Sequence, residues 1–448
     1  MNLFNQIDDF FSLLEQQDEV TKANFFEWLG NVLSNVGEQD IASALNLLGS
    51  LYYKEGKYSE AELLLQEALA MRKRLFSKDH PDVATSLSNL ASLYDYQGKY
   101  NFAEPLYQEA LAMRKRLFKR DNPHVANSLN NLASLYDYQG KYNFAEPLYQ
   151  EALVMRKRLF TEDHSDVATS LNNLASLYNY QGKYNLAEPL YQEALATYKR
   201  LFSEDHPDVA TSLNNLASLY DSQGKYSEAK PLYQEALAMR KRLFTEDHSD
   251  VATSLNNLGS LYYKQGKYIE AELLLQEALA MKKRLFTEDN PDVASCLSNL
   301  ALLYQSQGKY SEAKPLYQEA LAMKKRLFTE DHSDVANSLN NLGSLYYKQG
   351  KYSEAEPLYQ EALAIYKRLF TEDHPDIATS LSNLGFLYDN QGKYSEAKPL
   401  HQEALAMRKR LFTEDNPDVA NSLHNLGSLY YNQGKYSEAE PLLQEALA

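Results

Sequence analysis

Three short turns read Asp-His-Pro-Asp, at residues 79–82, 205–208 and 373–376, and each sets an imidazole between two carboxylates. That grouping could exchange protons or ligate a metal. The same turn recurs with Asn122, Asn290 and Asn416 in place of His. If the turns lie on successive stacked helices about 8–10 Å apart, the imidazoles cannot converge on one ion. The reading therefore assigns no catalytic residue, no metal and no cofactor, and the chain is not read as an enzyme. The single cysteine, Cys296, excludes an intrachain disulfide and has no recurring partner for redox or nucleophilic work.

Asparagine rows offer binding rather than reaction. Asn89, Asn131, Asn173, Asn215, Asn257, Asn299, Asn341, Asn383 and Asn425 recur at one position, with Leu47 in the first unit. Just before them runs a second polar row that includes Asn46, Asn130, Asn172, Asn214, Asn256 and Asn340. Each amide supplies a donor and an acceptor, so a row of them can bond the backbone of an extended peptide without demanding a sequence. Tyr96, Tyr138 and Tyr180 belong to a position that varies along the chain and suits side-chain discrimination, because Tyr gives contact area at low entropy cost. Triplets such as Arg114-Lys115-Arg116 and Arg156-Lys157-Arg158 are followed closely by acids, which reads as a compensated charge band, not a nucleic-acid surface.

These residues are positioned by a repeat. Gly-Lys-Tyr returns with its Tyr at 58, 100, 142, 184, 226, 268, 310, 352, 394 and 436, a fixed interval of 42. Such self-similarity marks stacked supersecondary units. Val83, Leu87, Leu90, Ala91 and Tyr94 share one face of a helix A that ends at Gly98. Ala103, Tyr107, Ala110, Leu111 and Leu117 share one face of a helix B. Asn101, like Ser59 and Ser227, is expected to N-cap helix B, and Pro105 to fall in its first turn. A small residue in mid-helix A, Ala91 or Gly259, lets two helices approach closely.

The pattern Leu90-Ala91-x-x-Tyr94-x-x-x-Gly98-x-Tyr100-x-x-Ala103-x-x-x-Tyr107-x-x-Ala110 resembles the tetratricopeptide repeat, whose usual unit has about 34 residues. The 42-residue unit, with AEPLYQEAL, MRKRLF and QGKY, is similar to the repeats of kinesin light chain and of bacterial proteins of that type. The resemblance implies an all-α, right-handed α-solenoid in which helices A line a concave groove. It also implies that the groove holds an extended peptide or partner segment against the Asn rows. There is no long heptad region for pairing with a motor heavy chain, which speaks against kinesin heavy chain as partner.

Residues 1–38 are expected to form two amphipathic capping helices, and 39–448 ten units, the last truncated at Ala448. Residues 1–40 carry eight acids against Lys22 alone, and the net charge of −16 opposes attraction to nucleic acid. No apolar run reaches the roughly 18 residues of a membrane span. The chain is read as cytoplasmic. Two alternatives stand beside the scaffold reading: a spacer that self-associates end to end, and the sensor half of a longer effector.

Overall fold

The computed structural model describes residues 37–328, 330–412 and 416–447. The expected capping helices within 1–36 lie outside the described residues. Among those described, every regular element is a helix, and the helices alternate as ten A–B pairs from Glu38 to Glu445. The chain divides into two compact units, residues 1–120 and 121–448. The first holds repeats 1 and 2, and the second holds repeats 3 to 10.

Repeat 4 shows how the sequence makes the pair. Helix A runs Ser165–Tyr180 and helix B runs Tyr184–Leu201. Helix A begins where the His164 Nδ1 accepts the Asp166 N–H at 3.1 Å, satisfying a donor left over at the helix start. The imidazole is held for this by stacking on Phe160, with centroids 3.5 Å apart. The repeated Asp-His turn is thus a helix cap, and Asn122, Asn290 and Asn416 make the same bond through Oδ1. Helix A ends in a Schellman turn. Lys183 N–H returns to Tyr178 O at 2.8 Å and Gly182 N–H to Asn179 O at 3.0 Å, with Gly182 at φ 72°.

Two expectations about helix B are corrected. Its N-cap is the Lys of Gly-Lys-Tyr, as at Lys57, Lys99 and Lys225, with no side-chain cap bond. Asn101, Ser59 and Ser227 lie one residue inside the helix, because the Schellman turn hands the chain directly into helical geometry at Tyr. Ser227 instead bonds Glu228 at 2.5 Å. Pro105 is the sixth residue of helix B, beyond the first turn. Its missing N–H frees the Asn101 carbonyl, and both residues face solvent, where water can satisfy the group.

Adjacent helices meet through small residues. Ala175, Ala187 and Ala194 are fully buried beside Leu171, Leu174 and Tyr191. Where Gly replaces the mid-helix Ala, a Cβ on Gly343 would lie 2.9 Å from the Tyr359 ring. Repeats are registered on one another by the basic triplet, whose three cations have different tasks. Arg156 is buried and donates to Ser170 Oγ at 2.6 Å and Asp166 O at 3.0 Å on the next helix A. Lys157 pairs with Glu193 of the next helix B at 2.8 Å. The third member of that next helix, Arg200, clasps Asp163 in the intervening linker at 2.5 and 2.7 Å. In the first unit Arg72, Lys73 and Arg116 repeat the set with Ser86, Glu109 and Asp79.

Within residues 121–448 the stack curves enough to touch itself. The lead-in to helix A of repeat 9 (Pro375–Asn390) meets the loop after helix A of repeat 3 (Pro123–Tyr138). There His374 Nε2 lies 3.0 Å from Tyr138 O, while its Nδ1 caps its own helix. One repeat further on, Asn416 donates through Nδ2 to Gln181 O at 3.1 Å and caps through Oδ1 at 2.8 Å. Gly140 and Gly182 permit the approach, since a Cβ on Gly182 would stand 2.4 Å from Asn416 Nδ2. Tyr142 and Phe412 add an apolar contact, with ring centroids at 6.4 Å.

Two glycine variants separate local strain from this closure. Gly182→Ala and Gly266→Ala both force Ala into left-handed backbone, at roughly 1–2 kcal/mol. A Cβ on Gly266 meets nothing within 4 Å. Small-angle scattering should therefore show an increased radius of gyration for Gly182→Ala and none for Gly266→Ala. Equal dimensions for the two would show that the contact does not hold the curve.

Candidate functional site

The curve places helices A on the inside of the second unit. Side chains from helices A of repeats 3 and 4 face those of repeats 8 (Ser333–Lys348) and 9 across a cavity of about 540 Å³. Asn173, Tyr138 and Tyr180, all nominated from sequence, line it. Tyr138 is 61% and Tyr180 67% exposed. In the first unit Tyr96 packs edge-on against Tyr53, with centroids at 5.5 Å.

The two Asn rows divide by burial. All nine members of the first row, from Asn89 to Asn425, are half-buried. Asn89 donates to Ser50 at 3.3 Å and Asn299 to Asn256 Oδ1 at 3.0 Å. Among the described residues, Asn131, Asn173, Asn215, Asn257, Asn341, Asn383 and Asn425 have no side-chain hydrogen bond to the protein. Of these, Asn173 lines the cavity.

The second row points into the seam instead. Asn130, Asn172 and Asn214 are 6%, 9% and 9% exposed. Asn172 donates to Ser212 at 3.1 Å, and Asn340 to Ser380 at 2.9 Å. In these two seams Tyr198 and Tyr366 replace the first Arg of the triplet, and Asn takes the serine that Arg would have bonded. Where Arg156 is present, Asn130 turns its carbonyl toward it at 2.7 Å. Only Asn256 of this group stays half-buried.

The lone cysteine lies in one of these seams. Cys296 stands where Ser170, Ser254 and Ser422 bond Arg156, Arg240 and Arg408. Opposite it the cation is Lys282, which reaches Asp292 and Ser249 instead, each at 2.6 Å. The Cys296 thiol is buried, and burial pushes its pKa up to about 11. Such a thiol is a poor nucleophile at neutral pH.

One feature of the variable positions was missed from sequence. At several seams within residues 121–448, a residue of the position just before Tyr138 and its counterparts meets one of Tyr138's own position in the next repeat, 43 residues on. Lys264 pairs with Asp221 at 2.8 Å, Tyr263 bonds Ser306 at 2.9 Å, and Asn390 donates to Tyr347 at 2.8 Å. Reading the columns diagonally, not down, would have revealed the pairing. The residues vary together because they touch.

Family comparison matches the tetratricopeptide repeat over residues 40–116, 96–158, 166–242, 250–326, 334–410 and 376–448. The chain belongs to the tetratricopeptide repeat family. A second description of the same repeat matches residues 214–284 and 298–368. Among solved structures, the array is similar to BtubC (BKLC) from P. vanneervenii, at 28% identity over 50% of this chain and 89% of that one, with a TM-score of 0.43. It is similar to a putative kinesin light chain from Podosopora anserina with nearly identical repeats, at 24% identity over 46% of this chain and 98% of that one, TM-score 0.38. A Rap protein complexed with competence and sporulation factor shares the fold over 83% of this chain and 98% of its own, at 16% identity and TM-score 0.55. No curated protein matches. Tetratricopeptide repeats are protein-interaction modules and typically non-enzymatic. No described helix is long and apolar enough to cross a membrane.

The array's inner cavity is acidic. Burial raises Asp137 to about 7, and burial with the charge of Asp334 raises Asp376 to about 6. His374, lowered to about 4 by burial, is neutral there and adds no cation. A carboxyl whose folded pKa is raised binds its proton more tightly folded than unfolded. Its ionisation therefore costs stability as pH climbs from about 4 to about 7, and the loss is then constant. Asp137→Asn should raise the melting temperature at pH 8 and leave it unchanged below pH 4. Thermal melts at the two pH values check this; an equal shift at both would exclude the titration of Asp137 as the cause.

Proposed function

We propose that the inner face of repeats 3 to 10 holds an extended segment of a partner protein. The observation that carries this reading is the row of half-buried first-row asparagines whose amides make no bond to the protein. A partly desolvated amide gains from a backbone donor or acceptor that replaces water. The row recurs once per repeat, so it suits an extended main chain more than a compact ligand. Asn89 and Asn299, already bonded within the array, contribute less, and Asn130, Asn172 and Asn214 support the seam. Asn256 is tied to Asn299.

Selectivity comes from the cavity of repeats 3 and 4. Tyr138 and Tyr180 supply aromatic surface, and Asp137 and Asp376 supply carboxylates with no Lys or Arg among the lining residues, while Asp334 beside them pairs with Lys324 at 3.8 Å. A Lys or Arg of the partner segment would relieve the cost of burying those carboxylates. The reading suits a reducing setting such as the cytoplasm, given one buried thiol and no intrachain disulfide.

Replacing Asn173, Asn215 and Asn257 together with Ala tests the proposal. At about 0.5–1.5 kcal/mol for each lost hydrogen bond, capture of the protein partners retained by the wild-type array should weaken at least about tenfold. Helicity and melting should be unchanged, since these side chains make no bond within the fold. Undiminished capture by the triple variant would overturn the proposal.

A further inference from the structure

The contact that closes the second unit uses parts present in repeats 2 to 10, and most copies of those parts are unused. One part is the lead-in to helix A, whose His or Asn caps the helix with one atom and offers a donor with another. The other is the Gln-Gly-Lys-Tyr loop, whose carbonyl receives the donor beside a glycine. His374 and Asn416 fill the loops at Gly140 and Gly182 in this way. The His374 side chain is 9% exposed, whereas His206 and His248 are 34% and 39% exposed. Phe370 and Phe412 are buried beside the used lead-ins; Phe160, Phe202 and Phe244 at the free ones are only half-buried. On the other side, a Cβ at Gly350, Gly392 or Gly434 would meet nothing within 4 Å. Tyr436 of the last such loop is 62% exposed, against 9% for Tyr142 under Phe412.

We propose that a second copy of the chain fills these sites. His164, His206 and His248 of one copy seat on the loops at Gly350, Gly392 and Gly434 of another. The occupant is a second copy because the complementary surface is already demonstrated within one chain, down to the bonded atoms. His164, His206 and His248 are spaced 42 residues apart, as are Gly350, Gly392 and Gly434 among the open loops, so three such contacts can engage together. The two surfaces differ and lie on opposite edges of the stack, so the contact is heterologous. Each added copy leaves one surface of each kind open, and association continues as a coaxial stack. This inference is independent of what the inner groove binds.

Three triple variants and concentration-dependent light scattering test it. His164, His206 and His248 changed together to Asn keep both the cap and the donor, as Asn416 does. Changed together to Asp they keep the cap, since Asp caps as well as Asn. They then lose the donor and set a negative charge against a carbonyl. Gly350, Gly392 and Gly434 changed together to Asn fill the loops with a residue that tolerates left-handed backbone. The average mass of the wild type and of the His-to-Asn variant should rise with concentration. The His-to-Asp and Gly-to-Asn variants should stay at single-chain mass with wild-type helicity. A wild type that stays monomeric throughout overturns the proposal. So does association of both disrupting variants at wild-type strength, which would place self-association, or a different partner's surface, elsewhere.

Discussion

Everything on the inner face depends on how one repeat is fixed against the next. A fully buried alanine such as Ala175 lets helix A lie close to Tyr191 of helix B. The first cation of the triplet then crosses the seam to the next helix A, Arg156 reaching Ser170. Exposed pairs such as Lys157 with Glu193 contribute little energy individually, about 0.2–1 kcal/mol. Their value lies in register: three cations with three fixed partners define where the next pair must sit. Repeated over the seven seams of the second unit, a fixed step becomes a fixed curvature, and curvature brings Gly140 within reach of His374.

The tyrosine content follows from the same seam. Tyr191, Tyr233, Tyr317 and Tyr359 are buried opposite the small helix-A residue. Tyr178, Tyr220, Tyr304 and Tyr388 donate to Glu146, Glu188, Glu272 and Glu356 of the preceding helix B at 2.9–3.0 Å. Only a minority, Tyr138 and Tyr180 among them, is presented to the groove. An abundance that suggests recognition when read as composition is mostly structural when placed on helices.

The helix pairs, their period and the glycine turns were legible because each depends on residues a few positions apart. Val83 to Tyr94 mark one face, and Gly98 ends the helix whatever its surroundings. The cap of helix A was harder to see: His80 looks like chemistry until its Nδ1 is found accepting from Asp82. The role of Asn172 could not be read locally, since it depends on Tyr198 replacing an arginine in the same seam. Nor could the closure. His374 and Tyr138 lie 236 positions apart, and identical motifs elsewhere in the chain remain open. Curvature accumulates from small steps that no single motif encodes. That is why the groove's aromatic residues were found but its far wall was not.

On the proposed function, partners contact the inner face through the first Asn row. A photo-crosslinking amino acid placed at Asn173, compared with one at the exposed outer residue Gln150, tests it most directly. Partner adducts should form from position 173 and none from position 150. Adducts from the outer position alone, or from both equally, would contradict it.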